Sequence, residues 1–158
     1  MTNEALKYIL TDWYPDAETV GLQFSEEGSQ YLTVSINPTY LHELMATLKA
    51  NSETSFDYLF CLTGVDWGKE LGIVYHLEST THRHIIVVKV QTEDREKPAF
   101  DSVQDIWRTA NFHEREVYDF FGIRFTNHPN LKRLFLDVNY EGFPLRKDFE
   151  DEVNMIIK

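Results

Sequence analysis

The apolar positions of the chain follow a helical period at the start, an alternating one in the middle and a helical one again after residue 102. Residues 4 to 14 carry Leu6, Ile9, Leu10 and Trp13 at helical spacing, with Asn3 at a capping position and Pro15 closing the segment. This predicts an opening amphipathic helix. Residues 18 to 25 and 30 to 36 roughly alternate between apolar and polar, with Glu26-Glu27-Gly28-Ser29 between them, which predicts a hairpin. Asn37-Pro38 sets a cap before a proline at the first helical position, and Leu41, Leu44, Met45 and Leu48 then form one helical face. From Phe56 the residues turn aromatic and β-branched, predicting strands over 57 to 63, 72 to 79 and 84 to 91. The turn Asp66-Trp67-Gly68-Lys69 reads as compact and Thr80-Thr81-His82-Arg83 as solvated. Residues 92 to 99 form a charged linker in which Pro98 argues against a continuing strand.

A helix running unbroken from Ser102 to Phe121 would be about 30 Å long. Its apolar face would hold Val103, Ile106, Trp107, Ala110, Val117 and Phe121, with Glu114 in the middle of that face. Either Glu114 is buried with a partner or the helix breaks. Asn111-Phe112-His113-Glu114 fits a capping box, so a break near Asn111 is expected, with Glu114 reaching back to the cap. Gly122 suits a left-handed helix end, and the alternation of Ile123 and Phe125 with Arg124 and Thr126 predicts a short strand. His128-Pro129 bends the chain, after which Asn130 and the spacing of Leu131, Leu134 and Phe135 predict a short helix. Beyond Gly142 the chain should be extended around Pro144, and Met155, Ile156 and Ile157 end it on an apolar segment that seeks a surface. The pattern is that of an α+β fold: a single domain with a mixed β-sheet of about five strands packed by helices. Residues 1–135 form the domain and residues 136–158 an extended C-terminal docking arm.

Composition narrows the function. With 42% hydrophobic residues the chain can bury a core, and 15 basic against 26 acidic residues give a formal charge of -11, which disfavours nucleic acid and anionic lipid as partners. The single cysteine, Cys61, rules out an internal disulfide and an iron–sulfur cluster held by this chain's cysteines. The first residues lack the basic and apolar regions of a signal peptide, and no run reaches the roughly 18 apolar residues of a membrane span. Membrane association is therefore expected only through partners.

Local chemistry is sparse. His113 and Glu116, three apart, could share a metal on one helix face, but no second pair at ligand spacing accompanies them. His76, His82 and His84 read as polar residues of a sheet edge and turn. Gly64, Gly68 and Gly72 do not make a phosphate loop, because Glu70 follows Lys69 where Ser or Thr would bind magnesium. Cys61 lies among apolar neighbours with no activating base nearby in sequence, as a core thiol does. Arg115 and Asp119 stand at the spacing of an exposed helix pair. Arg146, Lys147 and Asp148, beside Pro144 and Leu145, suit a docking strand.

The run EREVYDFFGIRFTNHPNLKRLF, Glu114 to Phe135, followed by EGFPLRKDF, Glu141 to Phe149, resembles the C subunit family of the respiratory NADH:quinone oxidoreductase (complex I). The shared pattern is an ERE-x-aromatic-D-x-x-G-I-x-F element, then HP-x-L-x-R, then G-x-PLRKD. LTGVDW at Leu62 to Trp67 and IWRTANFHERE from Ile106 also look family-like, although Phe112 stands where tryptophan, and Arg108 where proline, is usual. The resemblance implies a subunit with no catalytic, cofactor or metal site of its own. FMN, iron–sulfur clusters, NADH and quinone would be handled by other subunits of a proton-translocating enzyme. Its partners would be the quinone-site subunit and the subunit holding the terminal iron–sulfur cluster, at the cytoplasmic face of the cell membrane. The signature residues it marks for a partner interface are Glu114, Arg115, Glu116, Asp119, Gly122, His128, Pro129, Arg133, Gly142, Pro144, Leu145, Arg146, Lys147 and Asp148. Two alternatives remain: the equivalent subunit of a membrane-bound hydrogenase or related oxidoreductase, and a soluble metal-dependent enzyme using His113, Glu114 and Glu116.

Overall fold

The structure, a computed structural model, describes residues 1–149. The apolar end at Met155 to Ile157 lies outside the described residues. Helix α1 (Asn3–Trp13) buries Leu6 and Leu10, as its spacing predicts, but its cap is Thr2, whose hydroxyl accepts the Ala5 N–H. The Asn3 side chain instead donates to Glu26 and to the Gln30 carbonyl, tying the helix to the following turn. A single helical turn, α2 (Ala17–Val20), capped by Asp16, takes up the start of the first expected strand. The hairpin is shorter than its alternation suggests, with β1 (Gln23–Ser25) antiparallel to β2 (Leu32–Ser35). Asn37 caps a short 3₁₀ turn at Pro38–Tyr40, which leads into α3 (Leu41–Ala50) with Leu41, Leu44, Met45 and Leu48 all buried.

Strands β3 (Tyr58–Asp66), β4 (Leu71–Ser79) and β5 (His84–Thr92) form an antiparallel meander. The β1–β2 hairpin joins it through a parallel pairing of β2 with β5, giving the order β1-β2-β5-β4-β3. A second, two-stranded parallel sheet pairs β6 (Ala99–Asp101) with β7 (Arg124–Thr126), the latter burying Phe125 and preceded by buried Ile123. Between them lies α4 (Ala110–Phe121). The helices cover one face of the large sheet, where Leu32, Val34, Ile73, Tyr75, Leu77, Ile86 and Val88 form one core. The opposite face keeps Val74, His76 and Lys89 partly open.

Two glycines let elements approach. At Gly64 a Cβ would stand 2.6 Å from the Phe121 ring, so α4 lies directly on β3. At Gly72 a Cβ would run into the Val90 carbonyl oxygen and come within 2.6 Å of the Trp67 ring. A backbone oxygen held in a sheet does not give way as a side chain does. Gly72→Ala is therefore expected to cost about 1–3 kcal/mol or more of stability, measured as a lower urea midpoint at unchanged m-value.

Candidate functional site

The signature residues cluster around α4 and the turns that follow it. The helix does break from the preceding segment, starting at Ala110, and Glu114 is also buried, so both alternatives open in the sequence are realised together. Asn111 is not the cap: it lies one residue inside the helix, and no side chain caps the Thr109 position. Glu114 reaches instead to the segment before the helix, accepting the Ser102 hydroxyl at 2.6 Å and the Val103 N–H at 2.9 Å. Burial pushes its carboxyl up to about 7, against the lowering pull of those two hydrogen bonds and with a smaller push from Asp105. The enclosed His128 ring stands with Nε2 4.0 Å from Glu114. His128 Nδ1 accepts the Asn130 N–H, which leaves Nε2 as the protonated nitrogen, facing the Asn111 carbonyl at 3.3 Å. Burial also lowers the imidazole pKa, the Asn111 carbonyl raises it, and Arg115 lowers it. Below about pH 7 and above the lowered histidine pKa, the contact therefore joins two uncharged groups, not an ion pair.

Asp119 faces inward rather than toward solvent. One oxygen accepts the backbone N–H groups of Leu134, Phe135 and Leu136 at 3.3, 2.7 and 3.1 Å, and the other accepts Arg133 at 3.2 Å. This corrects two expectations. The segment 131–135 is no helix, because its N–H groups are drawn to this carboxylate, and Asp119 pairs with Arg133 rather than Arg115. Arg115 donates to the Lys132 carbonyl and lies over the Phe112 ring. Arg133 also donates to the Asp119 and Gly142 carbonyls and lies 4.8 Å from the Phe143 ring centre. Gly122 has φ 73°, as its capping role predicts, and a Cβ there would meet the Phe143 ring at 2.6 Å. Pro129 is exposed in the turn after His128.

The expected extended arm is, over residues 136–149, a series of turns bound to the body. The Leu145 N–H donates to the Phe120 carbonyl at the end of α4, and the Lys147 N–H to Asp66 at the end of β3. Asp66 also accepts Gly68 N–H and a two-pronged contact from Arg95, both prongs at 2.8 Å. Arg95 chiefly, helped by the Lys147 and Gly68 N–H groups, holds the Asp66 carboxyl well below the usual range despite its burial. Arg146 donates to the Arg95 carbonyl and pairs with Asp148, whose carboxyl it brings down to about 2. Gly142 (φ 89°) turns the chain and Pro144 is half-buried. Neither Asp66 nor Arg95 is among the signature residues marked for an interface, although Asp66 falls within the family-like LTGVDW. A lone acidic residue ending the apolar run LTGV was the available signal for one, and Arg95, inside a charged linker, gave none.

Glu116 is exposed beside a groove of about 320 Å³ formed by Cys61 to Gly64 on β3, by His113, Val117, Phe120 and Phe121 of α4, and by Leu145. Of the large apolar side chains that face outward, Leu145 lines the groove and Phe135 stacks on Phe120 of its wall; Phe112 and Val138 are exposed as well. His82 contacts the Ser52 carbonyl, far from His113 in the sequence, and among the described residues no three His, Cys, Asp or Glu side chains gather as a metal site would require.

Two outcomes follow from these contacts. Folded Glu114 keeps a proton that the unfolded chain releases above about 4.5, so its contribution is present at low pH and lost as pH rises through about 7. Stability should fall by up to about 3 kcal/mol across that window in urea titrations, and Glu114→Gln should flatten the slope. Arg95→Ala leaves the Asp66 carboxylate without its cation. Limited proteolysis between residues 141 and 149 should then proceed faster than in the parent chain; unchanged cleavage would mean the arm is held elsewhere.

Comparison with known proteins matches residues 34–153 to the model of the respiratory-chain NADH dehydrogenase 30 Kd subunit. A relative from Phocaeicola vulgatus, the C/D subunit of NADH-quinone oxidoreductase, is 52% identical over 77% of this chain, which spans only 23% of that longer protein. The C subunit of NADH-quinone oxidoreductase from Roseiflexus castenholzii is 40% identical over 85% of this chain and 76% of its own length. Among solved structures, a trypsin-resistant fragment of Nqo5 aligns with TM-score 0.67 and 31% identity, covering 80% of this chain and 98% of the fragment. A chain of an archaeal respiratory membrane complex, the membrane-bound sulfane sulfur reductase, aligns with TM-score 0.76 and 25% identity over 93% of this chain and 85% of its own. With its fold and the matched span in agreement, the chain belongs to the family of the 30 Kd subunit of respiratory-chain NADH dehydrogenase.

Proposed function

We propose that this chain is a non-redox structural and assembly subunit of the quinone module in the peripheral arm of a proton-translocating NADH:quinone oxidoreductase. One observation carries the reading. Glu114, Asp119, Arg133, Arg146 and Asp148 make their contacts within this chain, holding the turn after β7 and the arm to α4 and β3. On α4 and the segments after it the large apolar side chains left exposed are Phe112, Phe135, Val138 and Leu145, with Leu145 lining the groove and Phe135 stacked on Phe120. A reaction centre needs polar groups converging on an accessible cleft, whereas an apolar patch with a polar rim is the character of a protein interface. Arg115, Glu116 and Lys147, which reach the surface, form that rim in this reading.

The relatives whose single chain carries the joint C/D name support the D component as the neighbour at this surface. We take that component as the quinone-site subunit and place the terminal iron–sulfur subunit beside it, with FMN, the clusters, NADH and quinone bound elsewhere in the assembly. Among the described residues no helix is long and apolar enough to cross a membrane. Attachment to the cytoplasmic face would then come through those partners. The similarity to a chain of the sulfane sulfur reductase complex favours one other reading, the equivalent subunit of a membrane-bound oxidoreductase with no NADH module, hydrogenases included.

A tagged copy purified gently from detergent-solubilised native membranes tests both. Recovery of quinone-module subunits with NADH:quinone activity in the eluate is the expected result. Hydrogenase or sulfur-reductase subunits would select the second reading, and a lone monomer would sink both.

A further inference from the structure

Strand β3 stands at the edge of the five-stranded sheet, and from Tyr58 to Val65 it contains neither a charge nor a proline. Edge strands are ordinarily blunted by such residues, by bulges or by a covering segment. Here the protection is confined to the ends. A bulge between Leu59 and Cys61, the Thr109 hydroxyl on the Leu59 carbonyl and the Trp107 indole on the Phe56 carbonyl cover the start. Arg95 and the arm engage Asp66 at the finish. Between Cys61 and Val65, among the described residues, no hydrogen bond from outside the sheet reaches the β3 backbone. This bare stretch is one wall of the groove whose other wall is α4.

We infer that the outer edge of β3 at Cys61–Val65 receives an extended segment of a partner subunit, added as a further strand. Its apolar side chains enter the groove against Val117, Phe120 and Leu145, and a lysine or arginine meets Glu116. The inference rests on the subunit reading above and deepens it by naming how the partner is held. Strand addition satisfies the unpaired backbone, and the apolar wall selects alternate side chains. Charge decides between a partner and a second copy. Among the described residues Glu116 is the groove's carboxylate and no lysine or arginine lines the groove, and a second copy would add another chain of formal charge -11. A segment carrying a cation complements this surface, whereas self-pairing opposes it.

Cys61 lines the groove and is the chain's single cysteine, so it reports on occupancy directly. The probe is N-ethylmaleimide, applied to the full chain alone and to the membrane-derived complex, with alkylation of Cys61 followed by mass spectrometry. Protection of about tenfold or more in the complex is expected, equivalent to about 1.4 kcal/mol. Equal rates in a complex that does contain partner subunits overturn the strand addition while leaving the subunit reading intact. Protection already present in the isolated chain and lost on dilution assigns the edge to a second copy and overturns it too. A chain that recovers no partner removes the subunit reading and this inference together. Independently, Glu116→Lys should reduce partner recovery about tenfold, with the melting temperature of the isolated chain unchanged. Undiminished recovery overturns the role given to Glu116.

Discussion

Three consecutive backbone N–H groups, of Leu134, Phe135 and Leu136, converge on one oxygen of Asp119, and Arg133 takes the other. The arrangement sits where α4 ends, and a helix end leaves its last carbonyls without partners. Three of those carbonyls are claimed in turn. Gly122 N–H bonds to Tyr118, the Arg133 guanidinium to Asp119 and Leu145 N–H to Phe120. A carboxylate in the last turn of a helix is disfavoured by the helix dipole. A cation and three N–H donors at the same place offset that cost, and they can reach it only if the chain after β7 turns back. The path of residues 128–149 is thus a consequence of how one helix end is satisfied.

Among the described residues three carboxylates are almost wholly enclosed, and they differ in what stands beside them. Asp66 has Arg95 and Asp119 has Arg133 as close cations, each with backbone N–H groups completing the shell. Among the described residues Glu114 has two hydrogen-bond donors and no close cation, and burial lowers the pKa of its histidine neighbour. Desolvation then prevails over hydrogen bonding, and the acid holds its proton toward neutral pH. Two of the three acids tie distant segments together through charge, whereas Glu114 does so as a polar, uncharged bracket between residues 102–103 and α4.

What could be read from the sequence was whatever a local period controls. Leu41, Leu44, Met45 and Leu48 could only be a helix face, and the alternation through β4 and β5 follows from one covered face of the sheet. Gly122 was readable because a positive φ leaves few alternatives. The parallel pairing of β2 with β5 was not, since it joins segments about fifty residues apart through no local signal. Leu131, Leu134 and Phe135 carry helical spacing, yet a carboxylate from another element competes for the N–H groups that a helix would use. Similarly, Arg115 and Asp119 have the right separation for a pair, but Arg133 offers Asp119 a buried contact with four donors in all. Spacing reveals which residues share a face; it does not reveal which face meets the rest of the chain.

Glu114 and Asp119, the acids at the heart of the signature run, therefore do their work out of solvent, and that bears on how a partner would be recognised. Buried, hydrogen-bonded charges are costly to disturb, so they fix geometry well and offer little to a second protein. In the proposed assembly, affinity would come from what they leave outside: Phe112, Phe135 and Leu145, together with the β3 edge. Such contacts depend on shape and strand register more than on charge. In that assembly the chain's excess of acidic residues would act at longer range, favouring a cationic partner surface over self-association. Rigid internal ion pairs, exposed apolar side chains and an open strand edge would suit the proposed role of holding neighbouring subunits in register.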